Sequence, residues 1–463
     1  MTKASTLTFL GAAATVTGSR FLLRHGEASA LIDCGMFQGR RDLRALNWSA
    51  PALDVGELDT VVLTHAHLDH VGYLPVLMRH GFKGTVLAAK WTPELAKIVL
   101  TDSGHLQEEE ASFANRMGYA KHHPALPLYT EAEGETAARR IRGVAFGAET
   151  EVAPGIRATF RPAGHILGSA TVQIDLEDGP RILFSGDLGR PHHPILCPPA
   201  PRVASDFLVI ESTYGNRQHE DIASTVGRLA EAISRTAARG GTVIIPSFAV
   251  DRTEVLLCTL TDLLSEGRVP ELPVYVDSPM ASAVLDVYRR AIDQHDPGIR
   301  PGHHPGLSLQ NGPHLEESTT REQSIAIDGL ETPSIVISSS GMATGGRVLH
   351  HLARRLPDHR NMVVLAGYQA EATRGRSLAD GARSLKIHGR YVPVRADVVT
   401  VDAFSVHADA DELEAWMASP AAAPETTFIV HGEPASSEGL RLRVEGMGRL
   451  GVVPRMGETV RLS

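Results

Sequence analysis

Short runs of Val, Ile and Leu recur along this chain, each closed by Gly, Asp, Glu or His, with stretches of helical character between many of them. The runs are SALID (29–33), DTVVLTH (59–65), GTVLAA (84–89), RILFSGD (181–187), DFLVIES (206–212), GTVIIPS (241–247), PVYVD (273–277), PSIVISSS (333–340), NMVVLAG (361–367) and TTFIVHG (426–432). Continuous β-branched runs of roughly four to eight residues suit strands buried on both faces. Helices are expected over Pro93–Gly104, Ile222–Arg239 and Arg252–Glu266. The alternation implies an α/β architecture with central sheets. A first strand is expected over Thr6–Thr15, where the alternative is a short secretory leader. The Gly/Pro-rich stretch 295–325 is expected to be a long loop.

With 463 residues the chain is long enough for two or three domains. Its three cysteines, Cys34, Cys197 and Cys258, are odd in number and far apart. That argues against a disulfide framework and for a reducing, cytoplasmic compartment. No apolar run reaches the roughly 18 residues needed to span a bilayer, so no membrane partner is expected.

The net charge of −9 does not by itself suggest a nucleic-acid binder. The charge is uneven, however. Residues 342–395 hold ten Lys/Arg against three Asp/Glu, a local +7, which leaves −16 for the remainder. Such asymmetry fits a surface for a polyanion as well as it fits a solvated helix face.

Chemically useful side chains sit at the ends of several runs: Asp33, His65, Asp187, Glu211 and His431. In α/β sheets, loops beyond the carboxyl ends of strands are the usual place for a site. The densest cluster is THAHLDHVG (64–72), which crowds His65, His67, Asp69 and His70 into six positions. Imidazole nitrogen and carboxylate oxygen are ligands that zinc-like cations prefer. On an extended strand end His65 and His67 point the same way and can share one ion. Asp69 and His70 fall past the turn, within reach of a second. His165 lies between glycines in PAGHILGSA, where the backbone must come close to something. Asp187 in FSGDLGR is a carboxylate that can bridge two ions roughly 3.5–4 Å apart. His407 and His431 also stand at apparent strand ends, and alone each would be unremarkable. Two such ions activate water, which suits hydrolysis of phosphodiesters, thioesters or amides.

In this order, His65-x-His67-x-Asp69-His70, His165 and Asp187, with Asp33 at an earlier acidic position, resemble the metallo-β-lactamase superfamily. ESTYGNR (211–217), FSVHAD (404–409) and VHGE (430–433) resemble the three further motifs of its nucleic-acid-processing β-CASP branch. SSGM (339–342) and GYQAEATRGR (367–376) also look like that branch. The resemblance implies a four-layer αββα metallo-β-lactamase domain over 1–213 and 384–463, interrupted by an inserted α/β β-CASP domain over 214–383.

It further implies two divalent ions, zinc or manganese. His65, His67 and His165 would hold one, Asp69, His70 and His431 the other, and Asp187 would bridge. Asp33 would orient a ligand or the hydroxide. Glu211 would orient His407, which would contact the scissile phosphate or protonate the leaving oxygen. Asp33, Asp69, Glu211 and His407 are thus the expected catalytic set.

A histidine at the position of His431 resembles the RNA-processing members, whereas the DNA-repair members tend to carry an aliphatic residue there. The expected reaction is attack of a metal-bound hydroxide on an RNA phosphodiester, leaving 5′-phosphate ends. The competing readings are a DNA nuclease, a thioester hydrolase of the same fold, and a scaffold without chemistry. Every expected ligand position carries a usable residue, which speaks against the scaffold.

Ser339, Ser340, Gly341 and Met342 are expected to seat a phosphate on backbone N–H groups. Arg374 and Arg376 in the basic segment are expected to help them, and Phe248 is a candidate for base stacking or for plain core. The resemblance also suggests that the tail and N-terminal extension of some relatives are lacking, which would leave RNA affinity to the groove between domains. Single-stranded RNA is the expected partner, and a homodimer is the default assembly.

Overall fold

The computed structural model describes residues 4–118, 122–302, 315–367, 369–401, 404–418 and 422–463. It divides into two compact units. The first is Met1–Gln218 with His407–Ser463, and the second is His219–Val406.

The first unit is a sandwich of two seven-stranded sheets. One sheet has the order Thr459–Leu462, Ser5–Phe9, Phe21–His25, Ala28–Ile32, Thr60–Val62, Thr85–Ala89, Ile141–Val144. The other has the order Gly451–Val452, Thr426–Val430, Phe207–Glu211, Arg181–Phe184, Ala170–Leu176, Ile156–Pro162, Glu149–Ala153.

Strand periodicity explains the layers. Side chains alternate across a strand, so Phe207 and Val209 join the core between the sheets while Leu208 and Ile210 face the other way. Phe428 and Val430 against Ile429, and Ile182 and Phe184 against Leu183, repeat the pattern. The outward set is covered by helices Ala410–Met417 and Pro434–Gly446 through Leu413, Met417, Leu440 and Val444. On the other side, helix Thr92–Met117 packs on the first sheet through its buried first half. The result is the expected four-layer αββα arrangement.

All ten runs named above contain strands. Three extents differ from expectation. The first strand is Ser5–Phe9 and stops there, because the backbone turns through positive φ at Ala12 and Ala14. The helix expected over Pro93–Gly104 runs on to Met117 and ends at Gly118 in the left-handed conformation. Gly104 does not terminate it. A Cβ there would lie 2.6 Å from the backbone of Thr130 and Glu131, so this glycine admits the close approach of helix Glu131–Ala138. The loop expected over 295–325 contains strand Leu315–Ser318 and the start of helix Arg321–Gly329, while 303–314 lie outside the described residues.

The second unit is built on a six-stranded parallel sheet. Its order is Leu315–Ser318, Val274–Asp277, Ser334–Ser338, Thr242–Pro246, Met362–Ala366, Asp397–Val401. Its inner strands are buried along their whole length, as parallel sheets require. The insert was expected to end at 383. The compact unit instead extends to Val406, because Asp397–Val401 pairs in register with Met362–Ala366 as the sheet's last strand. Between them a hairpin, Ser384–Ile387 with Arg390–Pro393, packs Leu385 and Ile387 into the same core.

A buried polar knot ties this unit together. The fully buried Asp277 carboxylate accepts from Ser324 Oγ (2.6 Å), Arg347 Nη1 (2.7 Å) and His351 Nε2 (2.6 Å). The other imidazole nitrogen of His351 lies 2.7 Å from Asp328. Burial would push the Asp277 pKa up, but the bonds from His351, Ser324 and Arg347 outweigh it and bring it down to about 2. Burial would lower His351, yet its bonds to Asp277 and Asp328 raise it.

The raised His351 contributes stability that is complete below its unfolded pKa and is lost as pH rises through the folded one. The depressed Asp277 contributes stability present above its unfolded pKa and lost as pH falls toward 2. Removing one member of such a pair costs about 3–5 kcal/mol. His351→Gln should therefore destabilise the chain most between about pH 4 and 6.5, the unfolded values of Asp and His. In thermal melts of both proteins across pH, the gap should narrow on either side of that window.

Candidate metal centre

Strand direction brings the site together. Arg181–Phe184, Phe207–Glu211 and Thr426–Val430 run parallel, so Asp187, Glu211 and His431 emerge at the same end of one sheet. Ala28–Ile32 and Thr60–Val62 are parallel in the other sheet, which puts Asp33 beside Thr64 and His65. Asp33 and His431 both have positive φ, 59° and 51°, a conformation that turns the chain sharply off the strand.

The side chains form two adjoining groups. In the first, ligand atoms of His65, His67, His165 and Asp187 all lie within 4.8 Å of one another. In the second, Asp69, His70 and His431 meet the same limit. The pairs are close: His65 Nε2 to His67 Nδ1 is 3.1 Å, His165 Nε2 to His67 Nδ1 is 3.1 Å, and His70 Nε2 to His431 Nε2 is 3.1 Å. Asp187 stands between the groups, 3.5 Å from His65 Nε2 and 3.3 Å from His70 Nε2.

The donor set fits cations. Burial holds His65 and His165 well below the usual histidine range and brings His67 down to about 4, so these rings are neutral with lone pairs to give. Neutral imidazoles with nitrogens facing at 3.1 Å, as in His65–His67 and His165–His67, gain from a positive charge between them. Asp187 Oδ1 is buried without a hydrogen-bond partner, a costly state for a carboxylate that a cation would relieve. Burial opposes charge on His70, but Asp187 and Asp33 outweigh it and raise its pKa. Carboxylates that favour a proton on that ring favour a metal ion in the proton's place.

Two outer partnerships complete the geometry. Asp33 Oδ2 lies 2.7 Å from His70 Nδ1, and the same carboxylate accepts from Thr64 N (2.8 Å) and Ser19 Oγ (3.2 Å). This grip leaves His70 Nε2 turned toward His431. Glu211 lies 3.2 Å from His407 Nδ1 and also accepts from Leu188 N at 2.7 Å. Burial would lower His407, but Glu211 outweighs it and raises the pKa. A histidine so placed can hold a proton for transfer. His407 Nδ1 is 3.9 Å from Asp187, so the pair adjoins the metal-type cluster.

The expected phosphate-binding residues lie in the second unit. Ser339–Met342 enter a loop tied down internally: Ser340 Oγ accepts from Thr344 N (2.9 Å) and Met342 O accepts from Gly375 N (3.0 Å). The following helix begins at Val348, beyond this loop. Arg374 donates to the carbonyls of Ala343 (3.2 Å), Thr344 (3.0 Å) and Lys386 (2.8 Å), which braces this loop against the hairpin. Arg376 is paired with Asp380 one turn along its helix. Phe248 packs on Gly341, where a Cβ would come within 2.6 Å of its ring. Sequence reasoning missed Thr64 and Ser19, whose hydroxyls hold Asp33; neither residue type nor spacing marks them.

Comparison with known proteins adds three family matches. Residues 16–233 match the metallo-beta-lactamase superfamily, 253–378 the Beta-Casp domain, and 391–454 the Zn-dependent metallo-hydrolase RNA specificity domain. Ribonuclease TTHA0252 of Thermus thermophilus is 35% identical over 451 residues, which covers 97% of this chain and 98% of that protein. Transcription termination factor FttA of Methanocaldococcus jannaschii is 31% identical over 445 residues, or 92% of this chain and 67% of that protein. A crystal structure of a protein of unknown function from Enterococcus faecalis V583 shares the fold, with a TM-score of 0.55 at 14% identity over 99% of this chain and 100% of that one.

The close approach foreseen around His165 is real. A Cβ on Gly189 would lie 1.7 Å from Gly164 O and 2.6 Å from His165 N. Gly189→Ala must therefore push apart the two loops that carry His165 and Asp187. The expected result is a destabilisation of about 1–3 kcal/mol, the usual range for overpacking. It should appear as a lower thermal midpoint, together with weaker retention of divalent metal on a desalting column.

Proposed function

The chain belongs to the metallo-β-lactamase superfamily, in its β-CASP branch, and we propose that it is a metal-dependent ribonuclease that hydrolyses single-stranded RNA to leave 5′-phosphate ends. The observation that carries this reading is the pair of adjoining donor groups with Asp187 between them and the Glu211–His407 pair beside them. The RNA specificity domain match and the ribonuclease relative support RNA over other phosphodiesters.

In this reading His65, His67 and His165 would hold one divalent ion and Asp69, His70 and His431 a second, with the Asp187 carboxylate available to them. Zinc suits the nitrogen and oxygen donors best, and manganese accepts the same set. When bound, the two ions supply Lewis acidity that activates water and offsets charge on the phosphoryl oxygens.

The chain's own residues do the rest. Asp33 fixes the ring of His70 through Nδ1, so that Nε2 is the donor atom. Glu211 accepts from His407 Nδ1–H and stabilises the protonated ring. His407 then gives a proton from Nε2 to the departing 3′ oxygen as the phosphorus–oxygen bond breaks; water's oxygen joins phosphorus, and the proton that water sheds passes to solvent, from which His407 is protonated again. The products are a 3′-hydroxyl and a 5′-phosphate.

The test is incubation with 5′-labelled single-stranded RNA and its DNA equivalent, in zinc or manganese, beside His67→Ala. Wild type should cut RNA in preference to DNA. The variant should lose more than about 100-fold, beyond what loss of an outer-shell partner costs. End-group analysis should find 5′-phosphates. Predominant 2′,3′-cyclic ends, or no cleavage in either metal, would overturn the reading and turn attention to thioester substrates. Separately, Asp33→Asn should weaken metal affinity about 10–100-fold in a chelator competition, because His70 loses its orienting carboxylate.

A further inference from the structure

The hairpin of the second unit, Ser384–Ile387 with Arg390–Pro393, plays no part in the chemistry above, yet it carries an unusual surface. Residues 381–396 contain Arg383, Lys386, Arg390 and Arg395 and no acidic residue, in a chain of net charge −9. All four cations are exposed, and none has a carboxylate within ion-pair distance among the described residues. Neighbouring arginines behave differently: Arg347, Arg360 and Arg376 each pair with an aspartate.

Tyr391 stands among these charges with 75% of its surface exposed, more than any other Phe, Tyr or Trp among the described residues. Its exposure follows from the register. Leu385 faces Val392 across the hairpin and both pack toward the core, so the alternate pair, Lys386 opposite Tyr391, points outward. The platform is firm. Leu385 and Ile387 are buried, the turn His388–Gly389 has the paired positive φ of a tight hairpin, and Arg374 Nε donates to Lys386 O at 2.8 Å. A ring held by a rigid hairpin loses little freedom when it is covered.

An exposed ring flanked by unpaired cations is how proteins hold single-stranded nucleic acid without reading its sequence: bases stack on the ring and phosphates meet the charges. We propose that this hairpin is a sequence-tolerant contact surface for single-stranded RNA, with Tyr391 stacking a base and Lys386 and Arg390 engaging phosphates. The proposal rests on the ribonuclease reading and adds to it a contact outside the metal centre's own residues.

The test measures binding of a fluorescein-labelled, phosphorothioate-linked single-stranded RNA of about 20 nucleotides, long enough for several base contacts. The metal-loaded full chain is titrated by anisotropy at several salt concentrations. Tyr391→Ala should weaken binding about 5- to 100-fold, the range for one lost stack, while Tyr391→Phe keeps the ring and binds like wild type. Lys386→Ala with Arg390→Ala should reduce the slope of log affinity against log salt by roughly 1.4, about 0.7 for each phosphate contact. Equal affinities for wild type and Tyr391→Ala, or an unchanged slope in the double variant, would overturn the proposal.

Cleavage of an unmodified RNA is read in parallel on the same proteins. If all of them cut it and the hairpin variants bind the long probe like wild type, only the hairpin surface is lost. If wild type neither binds nor cuts RNA, the ribonuclease reading falls as well.

Discussion

Asp187 is a single buried carboxylate with five histidine nitrogens around it, at 3.3 Å from His70, 3.5 Å from His65, 3.6 Å from His165 and His431, and 3.9 Å from His407. Burial alone would drive it toward the neutral acid, but His431, His70 and His65 outweigh burial and keep it ionised. A carboxylate enclosed in this way is costly to bury unless positive charge faces it. The sandwich around the site is arranged to present that balance. Parallel strands of each sheet end at the same edge, and strained backbone at Asp33 and His431 turns their side chains into it.

Around this centre the chain supplies orientation before chemistry. Asp33 collects bonds from Thr64 and Ser19 and uses what remains to fix His70. Glu211 does the same for His407, itself anchored by the N–H of Leu188. Each carboxylate is buried and hydrogen-bonded on several sides, so neither can relax away from its histidine at low cost. Gly189 and Gly164 contribute by being small: their backbones meet at a separation that no side chain would permit.

The second unit solves a different problem. Its parallel sheet is buried on both faces, and its polar knot at Asp277 joins one strand end to two helices. Arg374 shows how a basic residue in a nucleic-acid protein can be architectural, since it braces a loop and a hairpin by their carbonyls. The hairpin around Tyr391 carries four exposed cations of this unit's basic segment without a carboxylate beside them, Arg383, Lys386, Arg390 and Arg395.

By itself the amino-acid sequence determined which residue types were available and which segments would be strands. Both are local properties: hydrophobic runs with β-branched side chains make buried strands wherever they fall, and all ten runs did so. The ligand-type residues at their ends were legible for the same reason. The tertiary structure decided the partnerships. His70 meets His431 across 361 positions and His67 meets His165 across 98, distances that only strand order and direction can close. It also decided that the second compact unit reaches Val406, since the membership of Asp397–Val401 depends on which sheet offers it a partner. Gly104 read as a helix end and serves as a helix contact, because what a glycine is for depends on what approaches it.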